Sequence, residues 1–490
     1  MTDEKKPVSD EAKDKVDKPA EPKDDLVTTS HTLGDLEYTA TTGRIVLREE
    51  VYEDEKFTGH KAKAEVSITS YVLEGTDHSQ RPVTFAFNGG PGSSSVWLHL
   101  GVLGPRRVVM GDVGDLKPPP YGLTDNHETL LKHSDLVFID PVSTGYSRAA
   151  EGEKAKPFHG FKGDLESVAE VIRLWTTRNN RWLSPKYLAG ESYGGTRAGA
   201  LAEYLQVRYG MFLNGLMLIA PALDLGSIFF SEGNDGPYVN YLSTYAAIAH
   251  YHGLHEGRTL QEVIAEAKEY AAEEFPLVLA KGSRLTEEER TAAVAKIASL
   301  TGLSTEYVDG VNLRIEHIRY YTELLRHKRL VVGRLDARFT GPDTDYGRER
   351  FSSDPFFAAT GGPYTAAFNH LIRSELKYEN DLNYEIITGN VQPWSYAEFE
   401  GKQVTVVDKL STAMRLNPFL KVYVALGYYD GGVPPGAVEH NLAHLSIPDE
   451  LRQNIQVEYF ESGHMMYIHE ESRLAQSRQL AEFVSGNTTS

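Results

Sequence analysis

Cysteine is absent from this chain. No disulfide can staple the fold, no thiolate can act as nucleophile, and cysteine-based zinc or iron–sulfur sites are excluded. A surplus of positive charge is missing too: 50 Lys and Arg face 69 Asp and Glu, for a net charge of −19. A surface that tracks phosphates needs dense cationic side chains, so nucleic acid is not an expected partner. The acidity reads as a means of staying soluble. No apolar run reaches membrane-spanning length, and no membrane partner is expected. Lys5 and Lys6 are not followed by the apolar segment of a secretory signal, which favours a cytoplasmic location. A periplasmic or secreted location would follow had a signal been removed.

What is present is an ordinary globular composition, 41% hydrophobic over 490 residues, enough for a large core and more than one structural unit. Residues 1–35 begin as a mixture of Lys, Asp, Glu and Pro with little to bury, and read as a disordered charged tail. Beyond it, Arg44–Leu47 and Ala64–Leu73 alternate apolar with polar residues, as half-buried antiparallel strands do. Val83–Phe87, Leu136–Ile139, Tyr187–Ala189 and Leu216–Ile219 are continuous apolar runs, as in parallel strands covered on both faces. Leu165, Val168, Ile172 and Trp175 recur at helical spacing between two of them. Residues 36–225 thus form the first part of an α/β core with a mostly parallel sheet flanked by helices.

Residues 226–400 differ. Gln261–Phe275, Thr286–Leu300 and Ser304–His327 have helical periodicity, Thr286 and Glu289 form a capping box, and Phe356–Tyr364 interrupts the helices. This reads as an inserted, mainly helical cap. Residues 401–490 return to the core with strands at Lys421–Leu426 and Ile455–Phe460 and a last helix from about Ser472 to Val484. A cap inserted there would cover the carboxyl ends of the strands, where α/β proteins bind ligands.

Gly190-Glu191-Ser192-Tyr193-Gly194 stands between a strand and a helix. That context makes Ser192 the nucleophile of a strained elbow, with bare glycines leaving room for close backbone. A serine hydroxyl needs a base, and the base needs an acid to fix its tautomer. Asp430 follows one returning strand through Gly427-Tyr428-Tyr429, and His464 follows the next through Glu461-Ser462-Gly463. The order Ser, Asp, His is that of an α/β-hydrolase. The Tyr193 amide and the loop Asn88-Gly89-Gly90-Pro91-Gly92 are placed to supply oxyanion donors. No metal or organic cofactor is needed for such chemistry. His440 and His444 have the i, i+4 spacing of a zinc pair but no evident third ligand, and read as a polar pair at the surface. Tyr320, Tyr321, Phe351, Phe356, Phe357 and Trp394 are aromatics of the insertion that could line a pocket or pack its core.

Four blocks together resemble the serine carboxypeptidase family: Asn88-Gly89-Gly90-Pro91-Gly92-Ser93-Ser94-Ser95, Asp140-Pro141-Val142-Ser143-Thr144-Gly145-Tyr146-Ser147, Gly190-Glu191-Ser192-Tyr193-Gly194-Gly195 and Glu461-Ser462-Gly463-His464-Met465. They occur in the family's order, spread over about 90–470, with a bacterial-type look. The resemblance implies an α/β-hydrolase fold with a helical cap and removal of the C-terminal residue of a peptide substrate. It implies Gly90 and Tyr193 as oxyanion amides, and Asn88, Gly89 and Glu191 as the site of the substrate's terminal carboxylate. Two carboxylates approach only by sharing a proton, so such binding favours acid. The sequence departs from the family at Ala86, Ser93 and Val102, where Trp, Cys and a proton-sharing Glu are usual. Glu191 is therefore expected to lack its usual partner and the acid preference to be blunted. An esterase or acyltransferase on the same three residues is the alternative activity, and a silent binding protein the alternative class. The sequence does not distinguish a monomer from a homodimer.

Overall fold

Nine strands build the central sheet of the computed structural model, which describes residues 22–486. They are β1 (Val27–Leu33), β2 (Leu36–Glu53), β3 (Lys56–Leu73), β4 (Val83–Phe87), β5 (Asp135–Ile139), β6 (Lys186–Glu191), β7 (Gly215–Ile219), β8 (Lys421–Gly427) and β9 (Ile455–Phe460). Their spatial order is β1-β2-β3-β5-β4-β6-β7-β8-β9, with the two-residue strand Arg148–Ala149 added beside β3. The first three strands and the β3–β5 contact are antiparallel; every pair from β5 to β9 is parallel. All residues of β4, β5, β6 and β7 are buried, which explains the apolar runs within them.

Side chains of period two feed two cores, one on each face. Phe85, Phe87, Val137, Leu188 and Leu218 join one cluster; Ala86, Phe138, Ala189 and Met217 join the other. The helices α1 (Phe161–Arg178) and α2 (Tyr193–Tyr209) cover the first face. In α1 the stripe Leu165, Val168, Ile172 and Trp175 is buried, with the Trp175 ring edge-on to Phe85 at 5.6 Å. Each such side chain contributes roughly 1.5–3 kcal/mol by leaving water. The helix α3 (Glu470–Gly486) places Leu480, Phe483 and Val484 on the opposite face.

Between β7 and β8 the chain departs into helices at Leu242–Tyr251, Leu260–Glu273, Phe275–Lys281, Glu287–Thr301 and Pro355–His370. The first four pack around a third cluster of their own, which Tyr429 joins from the core. The Thr286–Glu289 capping box forms in both directions.

Three sequence expectations need correction. The tail expected over 1–35 is a strand at Val27–Leu33, registered antiparallel on β2; residues 1–21 lie outside the described residues. It reads as polar because it is an edge strand with alternate residues exposed. Ser304–His327 is not one helix but Thr305–Gly310 and His317–Glu323, parted where Asn312 and Leu313 take positive φ. Phe356–Tyr364 does not interrupt a helix; it lies within one, capped by the Asp354 side chain on the Phe356 amide, with Pro355 at the first turn.

Candidate active site

The elbow forms where β6 ends. Ser192 takes φ 62° and ψ −124°, a conformation costly for a residue with a Cβ. Its backbone is held by several bonds: its amide donates to the Ile219 carbonyl at 3.0 Å, and its carbonyl accepts from Gly195 and Ala222 at 2.8 and 3.1 Å. A side chain at Gly194 would fall 2.7 Å from the Phe87 carbonyl oxygen, so glycine lets α2 start against the end of β4. Ser192 is half-buried and lines a cavity of about 160 Å³.

The histidine and aspartate come from the ends of β9 and β8. His464 Nδ1 lies 2.7 Å from Asp430 Oδ2. The other Asp430 oxygen accepts from the Gly432 and Val433 amides at 2.7 and 3.0 Å, so the carboxylate is fully occupied and fixed. Burial opposes protonation of His464, yet the Asp430 carboxylate against its ring leaves its pKa raised. The inserted segment clamps both loops. The His464 amide donates to the Leu335 carbonyl at 2.6 Å, the Gly463 amide to Asp336 at 3.2 Å, and the Gly431 amide to the Arg334 carbonyl at 3.0 Å.

On the other side of Ser192 stands the glycine loop. Gly89, Gly90 and Pro91 line the same cavity as Ser192, Tyr193 and His464. The Gly90 and Tyr193 amides have no acceptor among the described residues. The loop is anchored by Asp140, which accepts from the Ser95 amide at 2.9 Å, and by Arg197, which donates to the Asn88 carbonyl at 2.7 Å. Burial raises the Asp140 pKa to about 6. Arg197 in turn grips Asp164 with two bonds, at 2.8 and 3.1 Å.

Glu191 is buried at the floor of this cavity. One oxygen accepts from Asn88 Nδ2 at 2.9 Å, the other from the Tyr467 hydroxyl at 2.7 Å. Burial raises its pKa to about 7, against the lowering pull of His464 and of these two donors. Tyr467 was not legible in the sequence: three residues beyond His464, it belongs to none of the four blocks. Val102 is buried and does not line the cavity, and Ser93 accepts from Trp97 Nε1 at 2.9 Å.

Of the aromatic candidates, Phe357 lines the cavity and Trp394 donates to the Tyr193 hydroxyl at 3.2 Å. Tyr320, Tyr321 and Phe356 are core, and Phe351 packs against the insertion's own cluster. The His440 and His444 rings are 4.1 Å apart, and His444 Nδ1 lies 2.7 Å from the His440 carbonyl. Among the described residues no three His, Asp or Glu are grouped to hold a metal, and no helix is long and apolar enough to cross a membrane.

The chain is 29% identical over 173 residues to the pheromone-processing carboxypeptidase KEX1 of Yarrowia lipolytica, covering 35% of this chain and 25% of that protein. It is 26% identical over 231 residues to serine carboxypeptidase-like 50 of Arabidopsis thaliana, 46% of each. The matched regions thus span between a quarter and about half the length of these curated relatives. Among solved structures, KEX1(DELTA)P, a prohormone-processing carboxypeptidase from Saccharomyces cerevisiae, has the same fold: the TM-score is 0.56 at 15% identity, over 92% of this chain and 91% of that one. The sequence model of the family described as "Serine carboxypeptidase" matches residues 61–345, more than half of the chain. The protein belongs to the serine carboxypeptidase family.

Proposed function

We propose that the protein is a serine-type carboxypeptidase that hydrolyses the C-terminal peptide bond of peptides through an acyl-enzyme on Ser192. The observation that carries this reading is the buried Glu191 carboxyl, held by Asn88 and Tyr467 in the same cavity as Ser192 and His464. With its pKa near 7 it keeps a proton through the acid range. A protonated carboxyl donates to a carboxylate, so a free C-terminus fits this corner beside Asn88 and the Gly89 amide.

The chemistry follows from the positions. Ser192 Oγ attacks the scissile carbonyl as His464 takes its proton. Asp430 holds the Nδ1 proton and so fixes the tautomer that leaves Nε2 free. The carbonyl oxygen, now anionic, is met by the Gly90 and Tyr193 amides. His464 gives its proton to the leaving amine, and water then displaces the acyl group by the same path in reverse.

The test compares an N-blocked dipeptide bearing a free C-terminus with its C-terminal amide, using Ser192→Ala as control. Strong preference for the acid, lost in the mutant, supports the proposal. Equal turnover of acid and amide, or ester hydrolysis alone, would make it an esterase or acyltransferase on the same residues. A folded wild-type sample in which a fluorophosphonate leaves Ser192 unlabelled would indicate a silent binding protein.

A further inference from the structure

We infer that Arg334 selects substrates with an acidic side chain on the residue that Ser192 acylates, by pairing its guanidinium with that carboxylate. Arg334 lies on the inserted segment, between the strands Val331–Val332 and Thr340–Gly341, and its half-buried side chain lines the cavity that holds Ser192 and His464. Among the described residues its guanidinium has no hydrogen bond and no carboxylate within 4.0 Å, and Asp354 feels its charge only from farther off. The neighbouring acids are otherwise engaged. Asp354 meets the Arg334 backbone amide at 3.4 Å and caps a helix at Phe356, while Asp430 is filled by His464, Gly432 and Val433.

The same segment shows what a structural arginine looks like here. Arg338, four residues on, is buried and binds Asp336 at 2.7 and 3.0 Å. Arg181 and Arg197 are likewise buried against Asp135 and Asp164. Arg334 is instead left facing the cavity. Gly432 stands beside it: a Cβ there would clash with Leu335 Cδ2 at 2.6 Å and lie at ordinary contact distance, 3.6 Å, from Arg334 Nη1. Nearby lining residues Leu225, Ile228, Val433 and Phe357 are apolar, so a charged group entering the cavity loses water and finds one fixed cation. Guanidinium stays charged at every working pH and its fork matches a carboxylate in two bonds, so an acidic side chain is the ligand it fits.

The assignment to the acylated residue rests on the proposed function. There the leaving residue's carboxylate occupies the corner of Asn88, Gly89 and Glu191, built from the core; Arg334 stands on the insertion's wall against Gly432. The residue on the acyl side of the scissile bond is therefore the one that meets it.

The experiment measures kcat/KM for N-blocked Glu-Leu, Gln-Leu and Lys-Leu, and for Leu-Glu against Leu-Gln, in wild type, Arg334→Gln, Arg334→Lys and Arg334→Glu. Ratios are taken within each enzyme, so altered stability does not enter them. The wild type is expected to prefer Glu-Leu over Gln-Leu by about tenfold or more, the scale of one charge-assisted bond. The ratio should fall to near one in Arg334→Gln, persist in part in Arg334→Lys, and turn toward Lys-Leu in Arg334→Glu. A wild-type ratio near one overturns the inference, even if every variant fails to fold. So does a Glu preference that survives Arg334→Gln, a preference found only in Leu-Glu, or a variant that loses discrimination between acid and amide while keeping the Glu-to-Gln ratio. If no dipeptide is cleaved, the carboxypeptidase reading fails by itself. Aryl esters of N-blocked Glu and Gln then supply the same ratio on the acyl side.

Discussion

At the scale of single residues, Glu191 and Tyr467 carry most of the consequences. A buried carboxyl with a pKa of about 7 holds its proton well above the ordinary carboxylate range. If that proton receives the substrate carboxylate, kcat/KM for a free-acid peptide should decline as pH rises through about 7, and an ester of the same acyl group should show no such decline. A decline already complete near pH 5 would contradict it. Tyr467 donates to the carboxyl, and such a bond favours the ionised form. Tyr467→Phe is therefore expected to raise the Glu191 pKa further and move the alkaline limb for acids upward by about one unit, with the ester profile unmoved. A limb that stays in place would show that Tyr467 only fills space. Ser192, Asp430 and His464 could be found in the sequence because each sits a few residues past a recognisable apolar strand. Tyr467 could not, since it meets Glu191 across 276 residues of chain and carries no motif.

At the scale of elements, the sheet was legible and the insertion less so, for a physical reason. Strands covered on both faces must be apolar throughout, and Val83–Phe87 or Leu216–Ile219 advertise that directly. The helix Pro355–His370 contains Gly361, Gly362 and Pro363, residues that normally end helices, and only tertiary packing of Phe356, Tyr364 and Phe368 overrides them. Arg334 lies in the loop that joins a pair of two-residue strands, which no periodicity can mark. The pairing of α1 with α2 was equally hidden: Asp164 and Arg197 are ordinary charged residues in sequence and a buried pair in space. Burial holds the Asp164 pKa above its usual value despite Arg197 beside it, so desolvation is incompletely offset. Asp164→Asn should cost about 3–5 kcal/mol by stranding the guanidinium, read as a lower urea midpoint. Asp164→Leu with Arg197→Met should recover much of that loss. Activity should nevertheless stay low, because the Asn88 carbonyl loses the Arg197 bond that steadies the glycine loop. A double variant as unstable as the single one would place the cost in packing rather than charge.

At the scale of the whole molecule, several buried groups act on stability in one direction. Glu191 and Asp140 have folded-state pKa values of about 7 and about 6, above the 4.5 and 3.8 of the free groups. For a raised acid, the unfolded chain releases its proton first, so stability falls as pH climbs between the two values and is level above them. His464, also raised, contributes stability that is full below 6.5 and is lost as pH rises through its folded value. The net charge of −19 adds self-repulsion in the same direction. Opposing them are carboxylates lowered by their partners, such as Glu153 with Lys61 and Lys63, and Glu266 with Lys296, whose stabilisation is lost only as pH falls through the ordinary carboxylate range. These are largely solvent-exposed pairs of small worth. Buried His99 and His317, whose pKa values burial lowers to about 3, act against the raised groups, because the unfolded imidazoles take up protons below about 6.5 and stability falls with falling pH there. Glu191→Gln keeps an acceptor for Tyr467 but no ionisable proton. Since one pKa unit is about 1.4 kcal/mol, it should remove a pH-dependent loss on the order of 3 kcal/mol. Relative to the wild type's, the variant's midpoint should rise between pH 5 and pH 8. If the two slopes coincide, Glu191 ionises no differently in the folded and unfolded chains. The corner would then lack the proton on which its affinity for a carboxylate depends.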